Sequence, residues 1–361
     1  MIKQTVSLRE VKEALRPPER ILALQAERDQ IAAAYKDYKR EHGQLEQLMA
    51  EVLAAVPAIE PRAPIYRPPK VRRVESDLAA VVHITDAHYG AVQDEDEIEG
   101  FGKYSPELSR VRQYGLMHDW LDWVEMHRLG YAIPEGRFLV TGDLISGDIH
   151  DELRVTNAFP APRQAVEAGE ILAKQAAMAA PHFERVILDI ITDDNHGRLT
   201  RKPQAKECGV NNWMFVVASM TKVLLAGHKN VTVNIWPMPQ KVVEVCGRHY
   251  LLNHGHDVSG WAGFPYYGIE RKAGREAIKR MNGPDVTRFD KIVMGHWHAP
   301  LLHPVFWIGG SVSGTDAYDH KQGRHAEPQQ TSWLVHPKWG EFDHTAWQLR
   351  KYDGDVQGKD A

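Results

Sequence analysis

Ala79-Ala80-Val81-Val82-His83-Ile84-Thr85 is an apolar run that ends on Asp86-Ala87-His88. A run this short, rich in Val and Ile and closed by polar residues, reads as a strand buried on both faces. Four later runs repeat the pattern. Residues 138–141 lead to Gly142-Asp143, and residues 186–192 lead to Asp193-Asp194-Asn195-His196-Gly197-Arg198. Residues 250–253 lead to His254-Gly255-His256-Asp257, and residues 292–294 to Gly295-His296-Trp297-His298. Helical stretches over 107–128 and 163–179 lie between them, and 231–245 reads as a pair of strands around Pro237-Met238-Pro239. The expectation is an α/β fold. In layered α/β folds ligands gather at the carboxyl ends of the strands, where this chain places Asp, His or Asn five times in succession.

Those residue types suit a pair of divalent cations ~3.5–4 Å apart, which need one bridging carboxylate and terminal ligands on each side. Carboxylate and amide oxygens with imidazole nitrogens, and no thiolate, favour hard-to-borderline ions such as Mn²⁺, Fe²⁺ or Zn²⁺. An Asp-x-His pair can aim both side chains at one ion, because residues two apart leave an extended chain on the same side. Gly142 allows a tight turn that presents Asp143, and Gly295 is expected to do the same for the last two histidines. Each motif alone is a common chance match. Five in order, spaced roughly forty to sixty residues apart and each behind a strand, are not.

The ordered set resembles the calcineurin-like metallophosphoesterases, whose pattern is Asp-x-His, Gly-Asp-x-x-Asp, Gly-Asn-His-Asp/Glu, a later His, then Gly-His-x-His. The resemblance covers about residues 79–310. It implies a four-layer α/β/β/α sandwich and two divalent cations, Mn²⁺ first, with Fe²⁺, Zn²⁺ or Mg²⁺ as alternatives. It implies that Asp86, His88 and His298 hold one cation, that Asn195, His254 and His296 hold the other, and that Asp143 bridges. It also implies that His196 assists the leaving group or steadies the phosphoryl charge, while a hydroxide shared by the cations attacks phosphorus in line. This chain departs from the pattern twice. Ser146 stands where an acid is frequent, with Asp148 two residues on, and His196 lacks both the usual preceding Gly and the following acid. Asp193, Asp194 and Asp257 are the alternatives for orienting His196.

Basic residues suggest the substrate. Arg198, Arg201, Lys202 and Lys206 follow the third motif, and Arg271, Arg275 and Lys279 recur every four residues beside Trp261, Phe264, Tyr266 and Tyr267. Cations next to aromatic rings suit phosphate contact plus base stacking; equally, the rings could cap a core and the cations could face water. The expected activity is therefore a phosphodiesterase or nuclease. A phosphomonoesterase or phosphoprotein phosphatase is the second reading, and an oligomeric scaffold with a structural metal site the third.

Outside the motifs, Leu24, Ile31, Tyr38, Leu45 and Val52 recur every seven residues, an expected helical extension over 1–56 fit for a coiled coil and self-association. Pro57, Pro61, Pro64, Pro68 and Pro69 make 57–77 a stiff linker. The catalytic domain is expected over 78–348, and 349–361 is a polar tail. At 361 residues the chain exceeds one typical domain. Its 43% hydrophobic and 25% charged residues exclude wholesale disorder. No apolar run approaches ~18 residues, so no membrane span is expected. A net charge of −4 restricts any nucleic-acid contact to a local basic patch. Two cysteines, and an amino terminus without an apolar signal stretch, lead to the expectation of a cytoplasmic protein. Nineteen histidines are the outlier, and imidazole is the commonest metal ligand.

Overall fold

The computed structural model describes residues 56–66, 77–260, 265–283 and 288–354, together with positions 28, 30 and 36. The heptad seam, Trp261, Phe264, Pro68, Pro69 and residues 355–361 lie outside the described residues. The chain divides into two units, Met1–Val56 and Pro57–Ala361. Both β-sheets belong to the second unit.

The first sheet has the order β11-β10-β1-β2-β3-β4, built from β1 (Asp77–Ile84), β2 (Ala132–Val140), β3 (Arg185–Ile191), β4 (Val231–Trp236), β10 (Gln329–His336) and β11 (Gly340–Gln348). Strands β1 to β4 are parallel, and β10 closes antiparallel on β1. The second sheet has the order β5-β6-β7-β9-β8, from β5 (Gln240–Val245), β6 (Arg248–Asn253), β7 (Lys291–Met294), β8 (Leu301–Leu302) and β9 (Phe306–Ile308). There β6, β7 and β9 are parallel.

The apolar runs become strands because neither face meets water. Ala79, Val81, Leu139, Ile191, Trp333 and Val335 of the first sheet face Val243, Val245, Tyr250, Leu252, Val293 and Trp307 of the second in one buried layer. Alternate residues point outward. Phe138 meets Trp120 of helix α1 (Pro106–His127), which Ser105 caps by accepting from the Leu108 N–H at 3.2 Å. Helix α2 (Ala161–Ala179) lies close against α3 (Trp213–Leu224), where a Cβ on Gly169 would come within 2.7 Å of Met220. On the far side, Ile269 and Ala273 of α4 (Tyr266–Met281) pack on Leu251, Ile292, Met294 and Phe306. The result is the expected α/β/β/α sandwich. Among the described residues, no helix is long and apolar enough to cross a membrane.

Two details differ from the sequence-based expectation. The strands of 231–245 are not partners: β4 pairs with β3 in the first sheet and β5 with β6 in the second. Pro237 and Pro239, unable to donate to a ladder, make the crossover between layers. The segment 57–66 forms no helix or strand, yet it is held to the domain. Ile59 N–H donates to the Leu224 carbonyl at 2.7 Å, and Tyr66 N–H to the Pro181 carbonyl at 2.8 Å.

Candidate metal centre

Because β1, β2 and β3 run parallel in one sheet and β6 and β7 in the other, each sheet delivers its strand-end residues along one edge. All seven sequence-predicted donors meet there. Asp86, His88 and His298 form one group whose donor atoms lie within 4.8 Å of one another; Asp143, His254 and His296 form a second. Asp143 also groups with His88 and His196, which puts its carboxylate between the two sets. Asn195 joins the second through Oδ1, 2.9 Å from His254 Nε2.

The local backbone is unusual. Asp86, His88, Asp143, His296 and His298 have φ of 48°, 44°, 48°, 71° and 57°, a region that non-glycine residues occupy at a cost of ~1–3 kcal/mol each. The Asp-x-His pair therefore does not converge by extended-chain geometry, contrary to the expectation from its spacing. Left-handed turns aim the side chains, held by Asp86 N–H donating to the Gly142 carbonyl at 3.1 Å and His88 N–H to the Asp143 carbonyl at 3.0 Å. Gly142, at φ 104°, serves its turn as expected. Gly295 does something else. A Cβ there would fall 2.0 Å from Thr85 Oγ1 and 2.2 Å from Asp86 Oδ2, so its missing side chain is the space Asp86 occupies.

The electrostatics of the cluster follow from its burial. Asp86, Asp143 and His254 are buried. His254 Nδ1–H donates to the Thr141 carbonyl at 2.8 Å, so its Nε2 faces Asp143 Oδ2 and Asn195 Oδ1, both at 2.9 Å. Three acceptor atoms then converge unless a proton or a cation lies among them. Here a proton does. Burial would lower the His254 pKa, but Asp143, Asp86 and Asp194 outweigh it and push it up to about 10. Burial would raise the Asp143 carboxyl, yet His254 and His196 hold it well below its usual range. Burial dominates at Asp86, whose carboxyl is raised, and at His88 and His296, whose rings it keeps neutral. His88 Nε2 and His298 Nε2 point at each other 3.1 Å apart. Inward-facing imidazole nitrogens around buried carboxylates fit a divalent metal site.

His196 stands beside the donors, its ring 4.6 Å from that of His88. Its Nδ1–H donates to the Ser146 carbonyl at 2.6 Å, and its main-chain N–H donates to Asp143 Oδ1 at 3.0 Å. None of Asp193, Asp194 or Asp257 orients it. Asp194 braces the loop instead, accepting from the N–H groups of Asp143 and Gly197, both at 2.7 Å, and from Asn212 Nδ2 at 3.1 Å. Burial and the neighbouring Asp143 charge push its pKa up to about 7. Asp257 pairs with Lys272, and Asp148 accepts from Arg154 through its carbonyl.

The basic residues separate. Arg198 lines a shallow, narrow cleft with Asp193, Thr200, Cys208, Asn211 and His256, next to the donor loops. Arg201 and Lys202 are exposed, Arg201 facing Asp151 at 3.5 Å. Arg271, Arg275 and Lys279 line the solvent face of α4, opposite Ile269 and Ala273. Among the described residues no hydrogen bond or ion pair joins that stripe to the donors. Tyr266 meets Phe306 edge-on yet is 40% exposed, and Tyr267 is 70% exposed with the Arg271 guanidinium 5.7 Å from its ring.

No family model and no curated protein matches the sequence. Among solved structures, similarity is found to zinc-complexed Vps29 of Entamoeba histolytica, at 10% identity over 75% of this chain and 99% of that one, with a TM-score of 0.30. A conserved predicted phosphoesterase of Streptococcus pneumoniae overlaps at 11% identity over 75% and 98%, with a TM-score of 0.26. A sulfate thiohydrolase, SoxB, of Thermus thermophilus overlaps at 10% over 81% and 60%, with a TM-score of 0.31. Likeness at this level carries no functional information; the donor geometry does.

Proposed function

We propose that this chain, a calcineurin-like metallophosphoesterase by layer order and donor set, hydrolyses phosphoesters with two divalent cations, Mn²⁺ by preference. The observation that carries the reading is the convergence of seven oxygen and nitrogen donors from five strand ends around the Asp143 carboxylate. Asp86, His88 and His298 would hold one cation, Asn195, His254 and His296 the other, with Asp143 shared. Such cations lower the pKa of water and neutralise charge gathering on phosphoryl oxygens.

The remaining work belongs to the chain. His196 has its Nδ1–H committed to the Ser146 carbonyl, so Nε2 is the atom it turns to a departing alkoxide, and the ring would give up a proton there only from its imidazolium form. Main-chain N–H groups of His196 and His296 donate to Asp143 and to Asp86, holding both carboxylates in orientation as the ester enters. Arg198 supplies a guanidinium on the wall of the adjoining cleft.

For the substrate we favour a nucleic-acid phosphodiester, because the solvent face of α4 offers Arg271, Arg275 and Lys279 beside the exposed Tyr267 ring. The narrow cleft around Arg198 and His256 favours the alternative, a small phosphomonoester. With Mn²⁺, faster cleavage of a bis-aryl than of a mono-aryl phosphate supports the diester; the reverse order supports the monoester. Self-association through the seam of residues 24–52 belongs to the same proposal, and removal of residues 1–56 would then yield a monomer by light scattering.

A further inference from the structure

We propose that Asp319 is a positioning residue for His298 and makes the Asp86–His88–His298 group the tighter of the two cation sites; this rests on the reading that the donors hold cations. Asp319 lies on α5 (Ala317–Lys321), a short helix after the last motif that the sequence pattern does not mark. Its Oδ2 accepts from His298 Nδ1 at 2.7 Å, while Oδ1 lies 3.2 Å from Arg324 Nε. The helix is fixed from two sides. Asp316 Oδ1 accepts the Asp319 N–H at 2.7 Å, and Gln93 Oε1, from the loop beyond His88, accepts the Ala317 N–H at 2.9 Å.

The chemistry depends on what each imidazole leans on. A carboxylate on one ring nitrogen fixes the tautomer, turns the other nitrogen's lone pair outward and raises its basicity. His298 has that support. His254 and His196 give their Nδ1–H to uncharged main-chain carbonyls, of Thr141 and Ser146. The group around His298 also contains Asp86, whereas the group around His254 has the neutral amide of Asn195 in the matching place. Among the donors themselves a carboxylate, Asp86, thus stands on one side of Asp143 and a neutral amide on the other, and the first cation to reach the metal-free chain settles beside Asp86.

The test is a calorimetric titration of the metal-free full chain with Mn²⁺, comparing wild type, Asp319→Asn and Arg324→Gln. Wild type should bind two ions in two resolved steps. Asp319→Asn, close in shape but uncharged, should weaken the first step ~10–100-fold and leave the second unchanged. Arg324→Gln breaks the same ion pair but frees the carboxylate for His298, so its first step should be as tight as wild type or tighter. A merely structural role predicts equal losses in both variants, and that result overturns the proposal. An unchanged first step in Asp319→Asn overturns it too. Wild-type protein that binds no Mn²⁺ instead contradicts the parent reading of a dinuclear site.

Discussion

Single atoms decide whether this centre forms. A methyl group at Gly295 would occupy the place of Asp86 Oδ2, so Gly295→Ala should displace that carboxylate and cost the protein one bound cation, seen in a metal count, while circular dichroism stays native. At Asp143, replacement by Asn keeps the shape and removes the shared charge. We expect turnover to fall by more than the ~10–100-fold that losing a supporting residue costs, with loss of dinuclear loading; full activity in that variant would contradict its bridging place. The strand-end motifs were legible because each follows an apolar run and carries metal-ligating residue types, while the choice of seven donors among them came from the family resemblance. Their supports were not legible. The bond from His196 to Ser146 uses a main-chain carbonyl, which every residue owns and no sequence advertises. Asp319 reaches His298 from a five-residue helix with no periodicity to betray it.

At the level of elements, strands buried on both faces announced themselves, and mixed ones did not. β2 begins at Ala132, six residues before its apolar run, because Glu135 and Arg137 are buried as partners at 3.1 Å and Arg137 also reaches Asp189 at 2.8 Å. Charges that satisfy one another inside a sheet look like a loop from outside. β4 and β5 were found as strands, but sheet membership depends on which neighbour each meets across the layers, and that is not local information. Helix α4 divides cleanly between fold and function. Ile269→Ala, on its buried face, should cost about 2–5 kcal/mol in denaturant unfolding. Neutralising Arg271, Arg275 and Lys279 together should change stability by only about ±0.5 kcal/mol at each site, yet abolish salt-sensitive binding to an oligonucleotide. Retained, salt-sensitive binding in that triple variant would remove α4 from the nucleic-acid interface.

Across the whole molecule, the donors carry a pH signature. His254 and His298 both have pKa values near 10 in the metal-free protein: burial opposes the charge at each, but Asp143 outweighs it at His254 and Asp319 at His298. A folded pKa above the unfolded 6.5 means stabilisation that is complete below pH 6.5 and lost as pH rises towards about 10. The metal-free chain should therefore lose thermal stability across that window, and the Mn²⁺-loaded chain should not, because the cations take the place of the protons. Loading at pH 7.5 should release protons, which calorimetry in buffers of different ionisation enthalpy will count. The most direct measurement is anomalous diffraction at the manganese edge from crystals of the full chain soaked in Mn²⁺. Two peaks flanking the Asp143 carboxylate, one against His88 and His298 and the other against Asn195 and His254, are the expected result. Manganese-replete crystals with no peak at Asp143 would rule out a dinuclear centre there.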